Sequence, residues 1–145
     1  MIGLVQRVAE AEVSVAGRTV ARIGRGILVL VGVERDDAAA DAERLAQRIL
    51  TYRVFADEDG RMNRSVLDLG LEVLLVPQFT LAADTGKGTR ASFTRAAAPE
   101  AAQPLFEQLL AACGKRLRGV AGGEFGANMQ VSLVNDGPVT FWLET

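Results

Sequence analysis

Two apolar rhythms run along the chain, and the points where one gives way to the other outline its elements. Ile2 to Val8, Glu12 to Val15 and Arg18 to Ile23 read as strands, with Ala16-Gly17 as a tight hairpin turn between the last two. Gly24-Arg25-Gly26 leads into Ile27-Leu28-Val29-Leu30-Val31, an unbroken apolar run that predicts a strand covered on both faces. Asp36-Asp37 offers an N-cap and first-turn negative charge. Ala42, Leu45, Ala46 and Ile49 then recur at helical spacing, so a helix is expected from about Ala38 to Leu50.

Tyr52 to Phe55 reads as a strand ending at the turn Asp57-Glu58-Asp59-Gly60, Arg61 to Ser65 as loop, and Leu71 to Val76 as a buried strand. The polar, glycine-containing stretch from Ala83 to Thr94 predicts a long loop of the kind that carries function. Pro99 suits the first position of a second helix, whose buried stripe would be Phe106, Leu109, Leu110, Cys113 and Leu117. Pro104 removes one amide hydrogen bond inside it, and Lys115, Arg116 and Arg118 sit at its C-terminal end, where cations are favoured. Met129, Val131 and Leu133 alternate with Gln130 and Ser132. After Asn135-Asp136-Gly137-Pro138, read as a turn between two strands, the alternation resumes with Val139, Phe141 and Leu143. Many strands around two main helices indicate a single α+β domain over residues 1–145, with a largely antiparallel or mixed sheet or barrel.

Composition narrows the chemistry. The 145 residues carry 16 Lys and Arg against 18 Asp and Glu, a formal charge of −2 that excludes a globally basic nucleic-acid coat while leaving room for a local phosphate site. The longest aliphatic run, Ile27 to Val33, falls far short of the roughly 18 residues of a membrane span. The N-terminus is apolar before Arg7, the reverse of a signal peptide, so a soluble, cytoplasmic protein is expected. One cysteine, Cys113, rules out an internal disulfide and any paired-cysteine metal or redox site. There is no histidine, which removes every imidazole-dependent triad and His-ligated metal mechanism. An enzyme built from this chain works with backbone dipoles, hydroxyls, carboxylates, Lys or Arg, or with groups of its substrate; neither metal nor cofactor is called for.

Several motifs fail on spacing. Gly24-Arg25-Gly26 precedes a strand and lacks the third glycine of a dinucleotide loop. Around Gly86-Lys87-Gly88-Thr89 the leading glycine of a P-loop is replaced by Leu81 and the residue after Lys by Gly88. Asp57 to Gly60 lacks the closing Glu of a calcium loop, and Cys113, on an apolar stripe without a base, reads as a core residue. Two segments carry more. Val76-Pro77-Gln78-Phe79-Thr80-Leu81 places an amide and a hydroxyl at the end of a buried strand, beside a loop carrying Lys87 and Arg90. The other is Asn135-Asp136-Gly137-Pro138-Val139-Thr140.

Together, Gln78-Phe79-Thr80-Leu81 and Asn135 to Thr140 resemble the paired signature motifs of the D-aminoacyl-tRNA deacylases. The likeness extends from Met1 to Glu144 through Gln6-Arg7-Val8, Lys87-Gly88-Thr89-Arg90 with Ser92-Phe93, and Phe125-Gly126-Ala127-Asn128-Met129. The resemblance implies that family's fold and a homodimer that cleaves the ester joining a D-amino acid, or glycine, to the terminal ribose of tRNA, its active site at the dimer interface. It also implies a cis Gly137-Pro138 pair that projects into the partner's pocket, holds the substrate's α-amino group on backbone carbonyls and blocks an L side chain. Gln78, Phe79 and Thr80 would face the ester, with the amides of Phe79 and Thr80 near the developing oxyanion. The sequence departs from the family pattern at Pro77, where a serine is usual, and at Ala91, where proline often stands; a related branch also has Pro-Gln but changes the next residue, whereas Phe79 is kept here. The 137–140 stretch points to the bacterial type. Lys87, Arg90 and Arg95 are candidates for phosphate contacts. Two rival readings are a non-enzymatic dimeric module that binds RNA ends or nucleotides, and a general small-ester hydrolase.

Overall fold

The computed structural model describes residues 1–145. In chain order the elements are β1 (Ile2–Val15), β2 (Arg18–Ile23), β3 (Gly26–Gly32), α1 (Ala39–Thr51), β4 (Arg53–Ala56), β5 (Met62–Ser65), α2 (Val66–Leu69), β6 (Glu72–Pro77), a 3₁₀ turn (Phe79–Ala82), α3 (Pro99–Gly114), β7 (Val120–Gly122) and β8 (Met129–Glu144). The main sheet runs β2-β1-β3-β6-β7, with β8 along the other edge of β1. The pairs β1–β2, β1–β3 and β1–β8 are antiparallel, whereas β3–β6 and β6–β7 are parallel. The expected α+β class with a mixed, barrel-like sheet and two main helices is what forms, and β2 curls round toward β6 and β7. No helix is long and apolar enough to cross a membrane.

The unbroken apolar runs follow from a sheet with two dry faces. Ile27, Val29 and Val31 of β3, with Val73 and Leu75 of β6, point to the helix side and pack with Leu45, Ile49, Phe106 and Leu109. The alternate residues Leu28, Leu74 and Val76 meet Val8, Val13 and Ile23 inside the curl. Strands read as two before the hairpin are one continuous β1, and Ala16 and Gly17 make its turn with φ of 49° and 77°. Such left-handed pairs match the twist of the flanking strands.

Three expectations are corrected. Asp36-Asp37 does not cap α1. Ala38 stands at the N-cap and Asp41 accepts its amide at 2.9 Å, while Asp37 is drawn away to the Glu34 amide and the Met1 ammonium. The Arg61 to Ser65 stretch is not loop: Met62–Ser65 pairs with β4 as a hairpin, and the capping box of Ser65 and Asp68 starts α2. Finally, Asn135 to Pro138 is no reversal. Both halves of β8 run antiparallel to β1 in the same sense, and the two steps from Gln6 to Val8 face five from Asn135 to Thr140. The three extra residues, Asp136, Gly137 and Pro138, form a bulge on one strand.

Pro99 is the first residue of α3, as its restricted φ favours. Pro104 lies inside the helix, where the bond it cannot make belongs to the carbonyl of exposed Glu100, open to water.

Candidate functional site

At the end of β6, Gln78 hands its amide hydrogen to Val31 at 2.7 Å and becomes the cap of the 3₁₀ turn, its carbonyl accepting from Leu81 at 3.2 Å. Phe79 and Thr80 therefore occupy the first two positions of the turn, ahead of its first internal donor, where amides have no partner within the helix. The Gln78 side-chain amide donates to the Thr80 hydroxyl. That hydroxyl is thus an acceptor toward Gln78 and keeps its own proton to donate elsewhere; no base approaches it.

The turn is seated on a missing side chain. A Cβ at Gly32 would lie 3.0 Å from the Leu81 Cβ and 3.5 Å from the Gln78 carbonyl oxygen, closer to Leu81 than packed carbons normally come. Beside the turn, a pocket of about 270 Å³ is lined by Pro77, Gln78, Phe79, Phe125, Asn128 and Met129 among others, and no ionisable side chain contributes to it. Any chemistry there rests on dipoles and on the substrate's own groups.

The bulge on β8 is closed by its own backbone and two side chains. Asn135 Nδ2 donates to the carbonyls of Arg7 and Val139, both at 3.0 Å, and its Oδ1 accepts the Val139 amide at 3.1 Å. Arg7 Nε donates to the Asp136 carbonyl at 2.9 Å, with the Asp136 carboxylate at 3.5 Å, while the other end of its guanidinium donates to the Val54 carbonyl at 2.7 Å. The Gly137–Pro138 peptide is cis, and Gly137 has φ of +147°. A Cβ there would sit 2.8 Å from the Val139 nitrogen and 2.7 Å from its Cγ2, so only glycine fits.

Within one chain the two segments do not meet. Val8, which faces Asn135, pairs with Gly26 at one end of β3, whereas Gln78 is bonded to Val31 near the other end. That is five residues of strand, about 16 Å, with β1 and β3 between them. No cavity is lined by both Gln78–Thr80 and Gly137–Pro138.

The remaining candidates sort by their surroundings. The loop from Ala83 closes back on itself through paired backbone bonds between Asp84 and Ser92, leaving Lys87 and Arg90 exposed at its tip without a carboxylate partner. Arg95 is held by Glu34 at 2.7 Å. Cys113 is buried and burial pushes its thiol up to about 12, as suits a core residue. No group of three or more Cys, Asp or Glu side chains is placed to hold a metal ion. Sequence reasoning did not single out Asn135 as a clasp or Gly32 as a seat; a polar residue bracketing a Gly-Pro pair is a signal for the first, and nothing local marks the second.

A curled mixed sheet with helices on one face, a largely apolar pocket without an ionisable side chain and a clasped backbone bulge define a small α+β protein whose candidate site offers dipoles instead of reactive side chains. A family model described as D-Tyr-tRNA(Tyr) deacylase matches residues 4–144, and the chain belongs to that family. Its members are hydrolases of the D-aminoacyl-tRNA ester. A relative from Alkalilimnicola ehrlichii, named D-aminoacyl-tRNA deacylase, is 62% identical over 144 residues, spanning 99% of this chain and 96% of that protein. One of the same name from Nitrosococcus oceani is 58% identical, spanning 99% and 93%. Among solved structures, one described as c-Myc DNA Unwinding Element Binding Protein superimposes with a TM-score of 0.95 at 41% identity, covering 100% of this chain and 99% of the other. Another, described as a probable eukaryotic D-amino acid tRNA deacylase, has a TM-score of 0.86 at 17% identity over 99% and 98% of the two chains, a likeness of fold.

Proposed function

We propose that residues 1–145 act as one domain of a cytoplasmic homodimer that hydrolyses D-aminoacyl-tRNA, and glycine mischarged on alanine tRNA, releasing amino acid and tRNA. In this reading the Gly137-Pro138 bulge of one subunit enters the partner's pocket beside Gln78, Phe79 and Thr80. The observation that carries it is the separation of the two motifs at opposite ends of the sheet on a single chain: a site using both needs two chains. The long β8 edge that no other strand of the chain covers, with exposed Val134 and Trp142 on it, supports pairing between subunits.

The chemistry asks little of side chains. An aminoacyl ester is already activated, and the partnerless amides of Phe79 and Thr80 suit the oxygen that becomes negative as water adds to the carbonyl. Preorganised donors of this kind contribute about 2.7–4 kcal/mol each. The backbone carbonyls of Gly137 and Pro138 accept from the substrate's α-ammonium, and the neighbouring ribose hydroxyl helps activate the attacking water. Thr80 positions water or supports Gln78; without a base it is a poor nucleophile.

A D side chain points away from the clasped bulge, whereas an L side chain runs into it. Glycine has nothing to collide and passes the same filter, which is why mischarged glycine belongs among the substrates. The test is to incubate the purified protein with D-Tyr-tRNA, L-Tyr-tRNA and Gly-tRNA. Cleavage of the first and third with the second spared is expected. Equal cleavage of the D and L esters removes the filter; binding of tRNA without any cleavage favours the non-enzymatic RNA-end module instead.

A further inference from the structure

Beyond the pocket beside Gln78 lies a second, larger depression of about 680 Å³ that the ester reading leaves unused. Phe79 and Phe125 line both, so the two are neighbours that share a wall. Phe79 and Phe93 are 58% and 45% exposed, unusual for such large apolar rings, and their centroids stand 5.1 Å apart at a tilt of 48°. The alanines at 96, 97 and 98 form a floor with no side chain beyond Cβ, and Pro99 closes it. Arg35 is the one charged residue of the lining; it is exposed and has no carboxylate within ion-pair reach.

An open aromatic face over an apolar floor, rimmed by one free guanidinium, matches a nucleobase with its phosphodiester. Bases stack on aromatic side chains without regard to sequence, and arginine takes the phosphate. We propose that this shelf binds the nucleotide preceding the esterified one at the tRNA 3′ end, stacking its base on Phe93 and pairing its phosphate with Arg35. The inference rests on the deacylase reading above and adds a second nucleotide subsite to it: a strand leaving the ester pocket past Phe79 meets this shelf next.

The test compares D-Tyr-tRNA with D-tyrosine esterified to a single adenosine, using the parent protein, Phe93→Ala and Arg35→Gln. Phe93→Ala is expected to raise KM for the tRNA about tenfold with kcat unchanged. Arg35→Gln should also raise KM and lower the slope of log KM against log salt by about 0.7, the share of one phosphate on a single strand. Both variants should cleave the adenosine ester like the parent. Equal losses on the two substrates, or no change on tRNA, overturn the proposal. So does a variant that sediments as a monomer where the parent is a dimer, because the shelf is then a subunit contact. A parent that cleaves neither substrate removes the deacylase reading and this proposal with it, whereas an active parent with indifferent variants removes the shelf alone.

Discussion

Asn135 holds the bulge shut, and replacing it with alanine separates the shape of the bulge from its mere presence. Asn135→Ala removes three part-buried hydrogen bonds, two donated to the Arg7 and Val139 carbonyls and one accepted from the Val139 amide. At about 1 kcal/mol net for each bond, the variant loses roughly 2–3 kcal/mol. For a chain of this size that lowers Tm by about 6–9 °C. The Arg7 bonds to Asp136 and Val54 remain, so the fold survives while the loop between Asn135 and Val139 gains freedom. A steric wall rejects an L side chain only while it stays put. Cleavage of L-Tyr-tRNA should therefore rise about tenfold, with kcat on D-Tyr-tRNA within about threefold of the parent, an order-of-magnitude expectation from losing about 1.4 kcal/mol of discrimination. Asn135→Asp keeps the acceptor and loses the donors, so it should fall between the two in both Tm and selectivity. Single-turnover deacylation of the D and L esters, beside thermal unfolding, reads both quantities. Stability lost with the D/L ratio unchanged in both variants would show that selectivity does not depend on the clasp.

Gly32→Ala pushes a methyl against Leu81 and displaces the turn that presents the Phe79 and Thr80 amides, so kcat should fall about tenfold with KM retained; adding Leu81→Gly, which removes the opposing Cβ, should restore it, and a double variant as slow as the single one would count against the seat. Gly137→Ala should cost at least about a hundredfold in deacylation with circular dichroism unchanged, since the new Cβ has no room beside Val139, whereas Thr80→Ala, assayed side by side, should cost less than tenfold. In acid, Asp57 is held below the ordinary carboxylate range by the Asn63 side chain and then by the Arg61 amide, and Asp68 by the Ser65 amide and hydroxyl. A lowered folded pKa contributes stability that is fully present above the unfolded pKa and is lost as pH falls on through the folded one, so Tm should drop as the solution is acidified below the ordinary carboxylate range, and Asp57→Asn should flatten that slope.

Where burial decides the pattern, the sequence was readable. The helical repeat of Ala42, Leu45, Ala46 and Ile49 marks α1 to within a residue, and the unbroken run from Ile27 marks a strand that is dry on both faces. Where burial is slight, it was not. In β5 only Ser65 is buried, so Met62, Asn63 and Arg64 look like loop although their backbones pair with β4. The Asn135 to Pro138 misreading has a different cause. Asn, Asp, Gly and Pro are residues of tight turns, but turn chemistry specifies only that the chain departs from the ladder. Whether it then reverses or resumes is decided by the partner strand, and β1 is long enough to receive both halves of β8. At the candidate site the residues Gln78 to Thr80 and Gly137-Pro138 were legible as motifs. Their support was not, because Gly32 and Arg7 reach them only through the sheet.

On the proposed reading, that support is what lets the chain do without imidazole. Groups that titrate are tuned by burial and charge, and a pocket relying on them tolerates small shifts of backbone. A pocket relying on amides and carbonyls has no such latitude: the main chain itself must be held to within about half an ångström of its productive position. The structure holds its main chain there by leaving side chains out at Gly32 beneath the turn and Gly137 within the bulge, and by directing Asn135 and most of the Arg7 guanidinium to main-chain carbonyls and amides. It follows that atoms added at the glycines should do more harm than atoms removed from Thr80, the reverse of the order expected where a side chain performs the reaction.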